Sequence, residues 1–238
     1  MIPIAYDFHI HSCLSPCADN DMTPENIIGM AFIKGLSAIA ITDHNSCRHC
    51  ELAIEIGEKY GIIVIPGMEL NTKEEVHVLC LFKDIEAALL FEDYVQDKLY
   101  QIKNKPEIFG RQIIVGKEDK EIGEVEHLLI QATDISFHEV YHLTKQYGGI
   151  MIPAHIDKNS NSLLSNLGFI PLDSQFSCVE IKDATRKEEL LEKHPYLRTC
   201  NCISNSDAHS LGNINEAINV IFVDELNRKE ILKELGRR

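Results

Sequence analysis

The chain has 238 residues, and its 23 Lys plus Arg against 37 Asp plus Glu leave a net charge of −14. That acidity opposes a long phosphate backbone unless bound cations offset it, so long nucleic acid is not the expected partner, whereas a small phosphorylated anion beside a metal ion is feasible. Met1 to Asp7 lacks the basic region of a secretory signal and no apolar run approaches the ~18 residues that span a bilayer, so a cytoplasmic protein with reduced thiols is expected, not a membrane protein or a disulfide scaffold.

The run Ile2 to Ile10 reads as a strand. Alternate side chains leave an extended segment on one side, so His9 and His11 can point together at one object near its end. Thr23 offers an N-cap and Pro24 a first helical position, which predicts a helix to about Lys34 with a stop at Gly35. Leu36 to Thr42 is continuously apolar, like a buried parallel strand. Cys50 to Tyr60 reads as a second helix ending at Gly61, Ile62 to Gly67 as a third strand and Glu75 to Phe82 as a fourth. This rhythm predicts an α/β parallel sheet or barrel with right-handed crossovers.

The segment from about Ile85 to Asp134 breaks the rhythm with a charged amphipathic helix to about Asn104 and a hairpin over Arg111 to Gly123. It reads as an insertion into a single domain spanning residues 1–238, since no linker bounds it. Ser136 to Tyr147 is again helical. Strands resume at Gly149 to His155, Cys178 to Ile181, Asn201 to Asp207 and Ala217 to Val223, and a helix from Leu226 to Leu235 closes the chain.

Metal-ligating residue types fall at equivalent places in this series. His9 and His11 end the first strand, Asp43-His44 the second, Glu69 follows the third, His77 lies on the fourth, and His155 and Asp207-Ala208-His209 end later ones. In a parallel barrel the carboxyl ends of all strands surround one opening, so these residues converge. Imidazole and carboxylate suit borderline divalent metals, and a carboxylate such as Glu69 can bridge two ions. One tetrahedral zinc with the rest as outer partners is the competing count. His49, His127, His138, His142 and His194 stay outside the set. Cys13 with Cys17, and Cys47 with Cys50, would make a four-thiolate site only if their loops met; incidental reduced thiols are the simpler reading.

Asp7-Phe8-His9-Ile10-His11-Ser12, Ile41-Thr42-Asp43-His44-Asn45, Gly67-Met68-Glu69-Leu70, Val76-His77-Val78-Leu79, Pro153-Ala154-His155 and Ser206-Asp207-Ala208-His209 together resemble the successive motifs of the polymerase and histidinol phosphatase (PHP) family. The resemblance implies a distorted (β/α)7 barrel, here with the inserted helix and hairpin, around three zinc, iron or manganese ions. It implies one ion held by His9, His11, Glu69 and Asp207, a second by Glu69, His77 and His155, and a third by His44 and His209. The third ion's remaining ligand, counted back from Pro24, would be Asp19, with Cys17 or Asp21 as substitutes.

Such a centre implies a metal-dependent phosphoester hydrolase in which a hydroxide bridging two ions attacks phosphorus in line, with Glu69 and Asp207 as the central carboxylates. Arg48, Lys158, Lys182 and Arg186 lie just beyond strand ends, and Arg186 and Lys158 are the candidates for binding the substrate phosphate. Asp43 would orient an outer group. The expected substrate is a small phosphorylated metabolite or nucleotide; an exonuclease of oligonucleotide ends and a non-catalytic metal-binding module are the alternatives. The sequence carries no signal of oligomeric state.

Overall fold

A computed structural model describes residues 1–237. Strand β1 (Ile2–Ile10) is followed by helix α1 (Pro24–Ile33), where Thr23 accepts from the Asn26 amide at 3.3 Å and Gly35 ends the turn at φ +72°, as its sequence predicts. Strand β2 (Ala38–Ile41), helix α2 (Cys50–Tyr60), strand β3 (Ile63–Asn71), strand β4 (His77–Phe82) and helix α3 (Ile85–Gln96) come next. Then follow α4 (Pro106–Phe109), β5 (Ile113–Val115), β6 (Glu121–Glu124), α5 (Phe137–Gln146), β7 (Gly149–Pro153), α6 (Leu163–Asn166), β8 (Cys178–Glu180), α7 (Lys187–Lys193), β9 (Asn201–Ile203), β10 (Val220–Val223) and α8 (Arg228–Leu235).

Six strands form the main sheet in the order β10-β1-β2-β3-β4-β7, and β8 and β9 pair in parallel beside it. The Ile156 amide donates to the Glu180 carbonyl at 2.9 Å on one flank; on the other, the Phe8 amide donates to Asn205 Oδ1 at 2.8 Å and the His11 amide to the Ala208 carbonyl at 3.0 Å. These links close β1, β2, β3, β4, β7, β8 and β9 into a barrel, with β10 added against the first half of β1.

The strands are not all parallel. β1, β2 and β3 run together, but β4 is antiparallel to both β3 and β7, because the link Thr72 to Val76 is too short for a crossover helix. His77 therefore opens its strand instead of closing it, and still lies at the end of the barrel where β3 finishes: Asn71 pairs with His77.

Alternation divides the apolar residues between two layers. Ile4, Tyr6, Phe8, Ala38, Ala40, Ile65, Leu79, Leu81, Ile152 and Ala154 fill the barrel, whereas Ile39, Ile41, Val64, Val78 and Cys80 face the outer helices. The small Ala38, Ala40 and Ala154 leave room for the stacked rings of Tyr6 and Phe8, 4.5 Å apart. Helix α8 closes the far end of the barrel with Ile231, Leu232 and Leu235.

One irregularity aims the first histidine. Between Asp7 and Ile10 the register of β1 on β2 shifts, with Asp7 opposite Ile39 and Ile10 opposite Ile41. The extra residue is a bulge that changes which side alternate residues face. Phe8 fills the barrel and its neighbour His9 also turns into it, while Ile10 joins the outer layer.

The expected insertion divides in two. Helix α3 belongs to the outer layer through Ala88, Phe91 and Val95, so the excursion proper is residues 97–134. It lies on the loop after β1: the Ile113 amide donates to the Cys13 carbonyl at 2.9 Å, and Leu14 packs with Leu99 and Leu129. At Gly110, φ +98°, a Cβ would stand 1.9 Å from the Pro16 carbonyl oxygen, so only glycine permits this approach.

Candidate metal centre

Glu69 sits near the end of β3 with 1% of its surface exposed, and five imidazoles surround its carboxylate. His77 Nδ1 lies 2.9 Å, His155 Nε2 3.0 Å and His9 Nε2 3.2 Å from Oε1; His44 Nδ1 lies 3.1 Å and His11 Nε2 3.4 Å from Oε2. Asp207 Oδ1 completes the group 3.4 Å from His9 Nε2 and 3.5 Å from His11 Nε2. His209 stacks on His11 with ring centres 4.3 Å apart. Three sets of potential ligand atoms emerge: His9, His11 and Glu69; His44, Glu69 and His77; and His11, His44 and His209.

The donor set fits divalent ions. His9 Nε2 and His11 Nε2 face each other at 3.2 Å, and each also lies within 3.5 Å of the Glu69 and Asp207 carboxylates. Imidazole nitrogens crowded onto two carboxylates, two of them against each other, are the donors that borderline divalent cations take. Two of the candidate ligands hold positive φ, His155 at 29° and Asp207 at 52°, a backbone conformation that non-glycine residues keep only where their surroundings enforce it.

An outer layer orients the ligands. Glu180, fully buried on β8, accepts from His9 Nδ1 at 3.0 and 3.1 Å, from the His155 amide at 3.0 Å and from Asn205 Nδ2 at 2.7 Å. With its Nδ1–H committed there, His9 turns Nε2 to the centre. His11 Nδ1 donates to Ser15 Oγ at 2.9 Å, and Ser15 Oγ donates to Asp43 Oδ1 at 2.7 Å. Asp43, expected to orient an outer group, accepts from the serine that faces His11.

Charge is arranged to favour cations here. Burial opposes an imidazolium at His9, yet Glu180, Glu69 and Asp207 outweigh it and raise its pKa well above the ordinary histidine value. At His11, burial is likewise outweighed by Asp207 and Glu69. Burial pushes His44 well below the ordinary value, and burial with neighbouring His11 pushes His209 down to about 4, so both stay neutral and able to coordinate. Against the effect of burial, the surrounding histidines hold Glu69 and Asp207 far down the carboxylate range.

His9, His11, His44, Glu69, His77, His155, Asp207 and His209 are all brought together. Asp19 stands beside them by its backbone, its amide donating to the His209 carbonyl at 2.8 Å, with its side chain exposed and in none of the three ligand groups. The loop after β1 anchors Asp19 by its backbone, which leaves the carboxylate to solvent. Lys158 reaches the centre, Nζ to Asp207 Oδ2 at 2.9 Å. Arg186 instead donates to the Asp157 carbonyl at 2.9 Å, Lys182 donates to the Ser206 carbonyl, and Arg48 is exposed. The cysteine loops do not meet in a thiolate site. Cys13 donates to the Ile113 carbonyl at 3.8 Å, Cys17 is exposed, and Cys47 and Cys50 are buried and donate to the Gly67 carbonyl at 3.3 and 3.4 Å.

Sequence reasoning missed Glu180, whose only signal was a carboxylate inside the apolar run Cys178-Val179-Glu180-Ile181, and it passed over Ser12, Ser15 and His49.

The family model of the PHP domain matches residues 7–218, and the chain belongs to that family, a class of metal-dependent phosphoester hydrolases. Among curated relatives, 5′-3′ exoribonuclease Rnm of Escherichia coli (strain K12) is 32% identical over 98 residues, 39% of this chain and 32% of its own length. Phosphoribosyl 1,2-cyclic phosphate 1,2-diphosphodiesterase of Eggerthella lenta is 31% identical over 80 residues, 32% of this chain and 29% of its own. The matched segments thus span about a third of these relatives.

In fold, endonuclease Q of Pyrococcus furiosus is similar at a TM-score of 0.68 and 18% identity, over 99% of this chain and 56% of that one. Endonuclease Q in complex with a 27-mer duplex, an abasic lesion at its active site, is similar at a TM-score of 0.70 and 19% identity, over 98% and 56%. A solved structure bound to a duplex thus shares this fold, and the expectation against long nucleic acid, which rested on net charge, is not supported. No described helix is long and apolar enough to cross a membrane.

Proposed function

We propose that the chain is a metal-dependent phosphoesterase acting on a phosphate that protrudes from its substrate, as in a small phosphorylated metabolite or a nucleotide. The observation that carries this reading is the convergence of five imidazoles on Glu69, with Asp207 beside them. His9, His11, Glu69 and Asp207 would hold one ion, Glu69, His77 and His155 a second, and His44 and His209 a third, with zinc, iron and manganese as the candidate metals. Asp19, held beside His209 by its backbone, is the candidate for the third ion's remaining ligand.

Bound dications there would draw in phosphate oxygens and lower the pKa of a water ligand toward neutrality. Glu69 serves as the shared carboxylate and Glu180 fixes the ring of His9. Lys158, 40% exposed and tied to Asp207, is placed to contact the incoming phosphate. The depth of the centre shapes the substrate: with Glu69 1% exposed and His77 5%, the ester must reach inward. A chain end does so as well as a small molecule, and the segment shared with an exoribonuclease favours oligonucleotide ends as the second reading.

The test is turnover by metal-reconstituted protein of phosphomonoesters, 3′,5′-bisphosphonucleotides, histidinol phosphate and short oligonucleotides. Release of phosphate from the small esters is expected. Stepwise shortening of oligonucleotides alone would establish the second reading, and no turnover at full metal occupancy would leave a binding module.

A further inference from the structure

The excursion over residues 97–134 reaches the centre through one side chain that no metal assignment uses. His49 is 1% exposed, and its two ring nitrogens hold partners on opposite sides. The Val115 amide, at the end of β5, donates to Nε2 at 3.1 Å, and Nδ1 lies 2.7 Å from Ser12 Oγ. Ser12 Oγ donates to Asp43 Oδ2 at 2.6 Å, and the Ser12 amide donates to Asp43 Oδ1 at 2.7 Å. Ser15 Oγ, which takes the proton of His11 Nδ1, donates to that same Oδ1.

The direction of every link is fixed by its ends. A backbone amide can only donate and an ionised carboxylate can only accept. Nε2 of His49 must therefore be bare, Nδ1 must carry the proton and give it to Ser12, and both serine hydroxyls must point at Asp43. On the far side, His11 must donate from Nδ1, which leaves its Nε2 as the atom facing Glu69 and Asp207. The chain of bonds is continuous and buried from the hairpin to a ligand of the proposed centre.

We propose that His49 is a positioning residue that docks the inserted hairpin onto the His11 loop, so that the hairpin's placement and the grip of His11 on its ion are coupled. The inference rests on the reading of His11 as a metal ligand. Partners one shell behind a ligand are commonly worth about 10–100-fold in metal affinity. His49 stands further back, so a loss of about tenfold is expected.

The experiment compares His49→Ala, His49→Gln and Lys117→Ala with the parent chain by zinc affinity in competition with a chelator, and by amide exchange at Val115 in metal-free protein. Lys117 ties the hairpin to Glu55 at 3.0 Å on the surface, outside the relay. His49→Ala should speed exchange at Val115 and weaken zinc about tenfold, His49→Gln should recover most of both, and Lys117→Ala should change neither. Unchanged Val115 exchange in His49→Ala overturns the relay, and so does zinc affinity within twofold of the parent or an equal loss in Lys117→Ala. Nitrogen-15 NMR of the parent chain adds a readout that needs no variant: His49 protonated on Nδ1 supports the inference, and protonation on Nε2 contradicts it. Failure of the parent chain to bind zinc would instead defeat the metal reading, which the exchange and NMR measurements do not depend on.

Discussion

The two ends of the barrel are built from the same strands and differ in chemistry. Inward positions read Ile63, Ile65, Gly67 and Glu69 along β3, and His77, Leu79 and Leu81 along β4. Up to the level of Gly67, which pairs with Leu81, these positions are hydrocarbon; above it carboxylate and imidazole enter, with Leu79 opposite Glu69. The lower layer needs only volume and apolarity, which many residues supply. The upper layer needs each nitrogen aimed, and there the fold departs from regularity, with the bulge in β1, the reversed β4 and positive φ at His155 and Asp207. The lower half sets stability and the upper half sets chemistry.

The largest effect should follow replacement of the shared carboxylate. Outer partners alone are worth about 10–100-fold, so Glu69→Gln should lower phosphoester hydrolysis more than 100-fold, measured as kcat/KM on the best substrate of the panel. A rate within tenfold of the parent chain would remove Glu69 from the centre. Glu180→Gln keeps the shape but weakens the bonds to His9, and a loss of about 10–100-fold in metal affinity is expected from chelator titration. If affinity is unchanged, Glu180 serves the fold rather than the ions.

A matched change in the lower layer sharpens the contrast. Leu81→Ala should cost ~2–5 kcal/mol in chemical denaturation, while the folded fraction keeps its metal content. Metal loss from folded Leu81→Ala would mean that the two layers are not separable.

The last contrast is in pH. The raised pKa values of His9 and His11 mean that, without metal, their ion pairs stabilise the protein below about pH 6.5, and this stability is lost as pH rises through the raised values. Metal binding displaces those protons, so metal should stabilise more at pH 8 than at pH 6. The slope is ~1.4 kcal/mol per pH unit for each proton displaced, or about 3–6 °C in thermal midpoint. Equal metal-induced shifts at both pH values would show that His9 and His11 release no protons to the ions.

Legibility in the sequence followed the same division. Helix α1 was marked at both ends by Thr23-Pro24 and Gly35, and the apolar strands by their runs, because these signals are local. Most of the ligands were legible because they recur at strand ends. The direction of β4 was written in the brevity of Thr72 to Val76, which leaves no room for a crossover. The bulge that turns His9 inward depends on pairing between β1 and β2, and no spacing within Ile2–Ile10 encodes it. Glu180 was hidden because one carboxylate in a three-residue strand becomes meaningful only when the barrel brings His9 to it. Asp19 was reached by counting from Pro24, and the loop's backbone bond sets it beside His209 with its side chain exposed.

Metal stoichiometry tests the upper layer most directly. Elemental analysis of the reconstituted parent chain should find about three ions per chain, since the eight converging side chains exceed the about four of one tetrahedral site and offer three groups of potential ligand atoms. Glu69→Gln, having lost the bridge, should retain no more than one. Binding of no metal by the parent chain, or an unchanged count in Glu69→Gln, would contradict a multinuclear centre organised on Glu69.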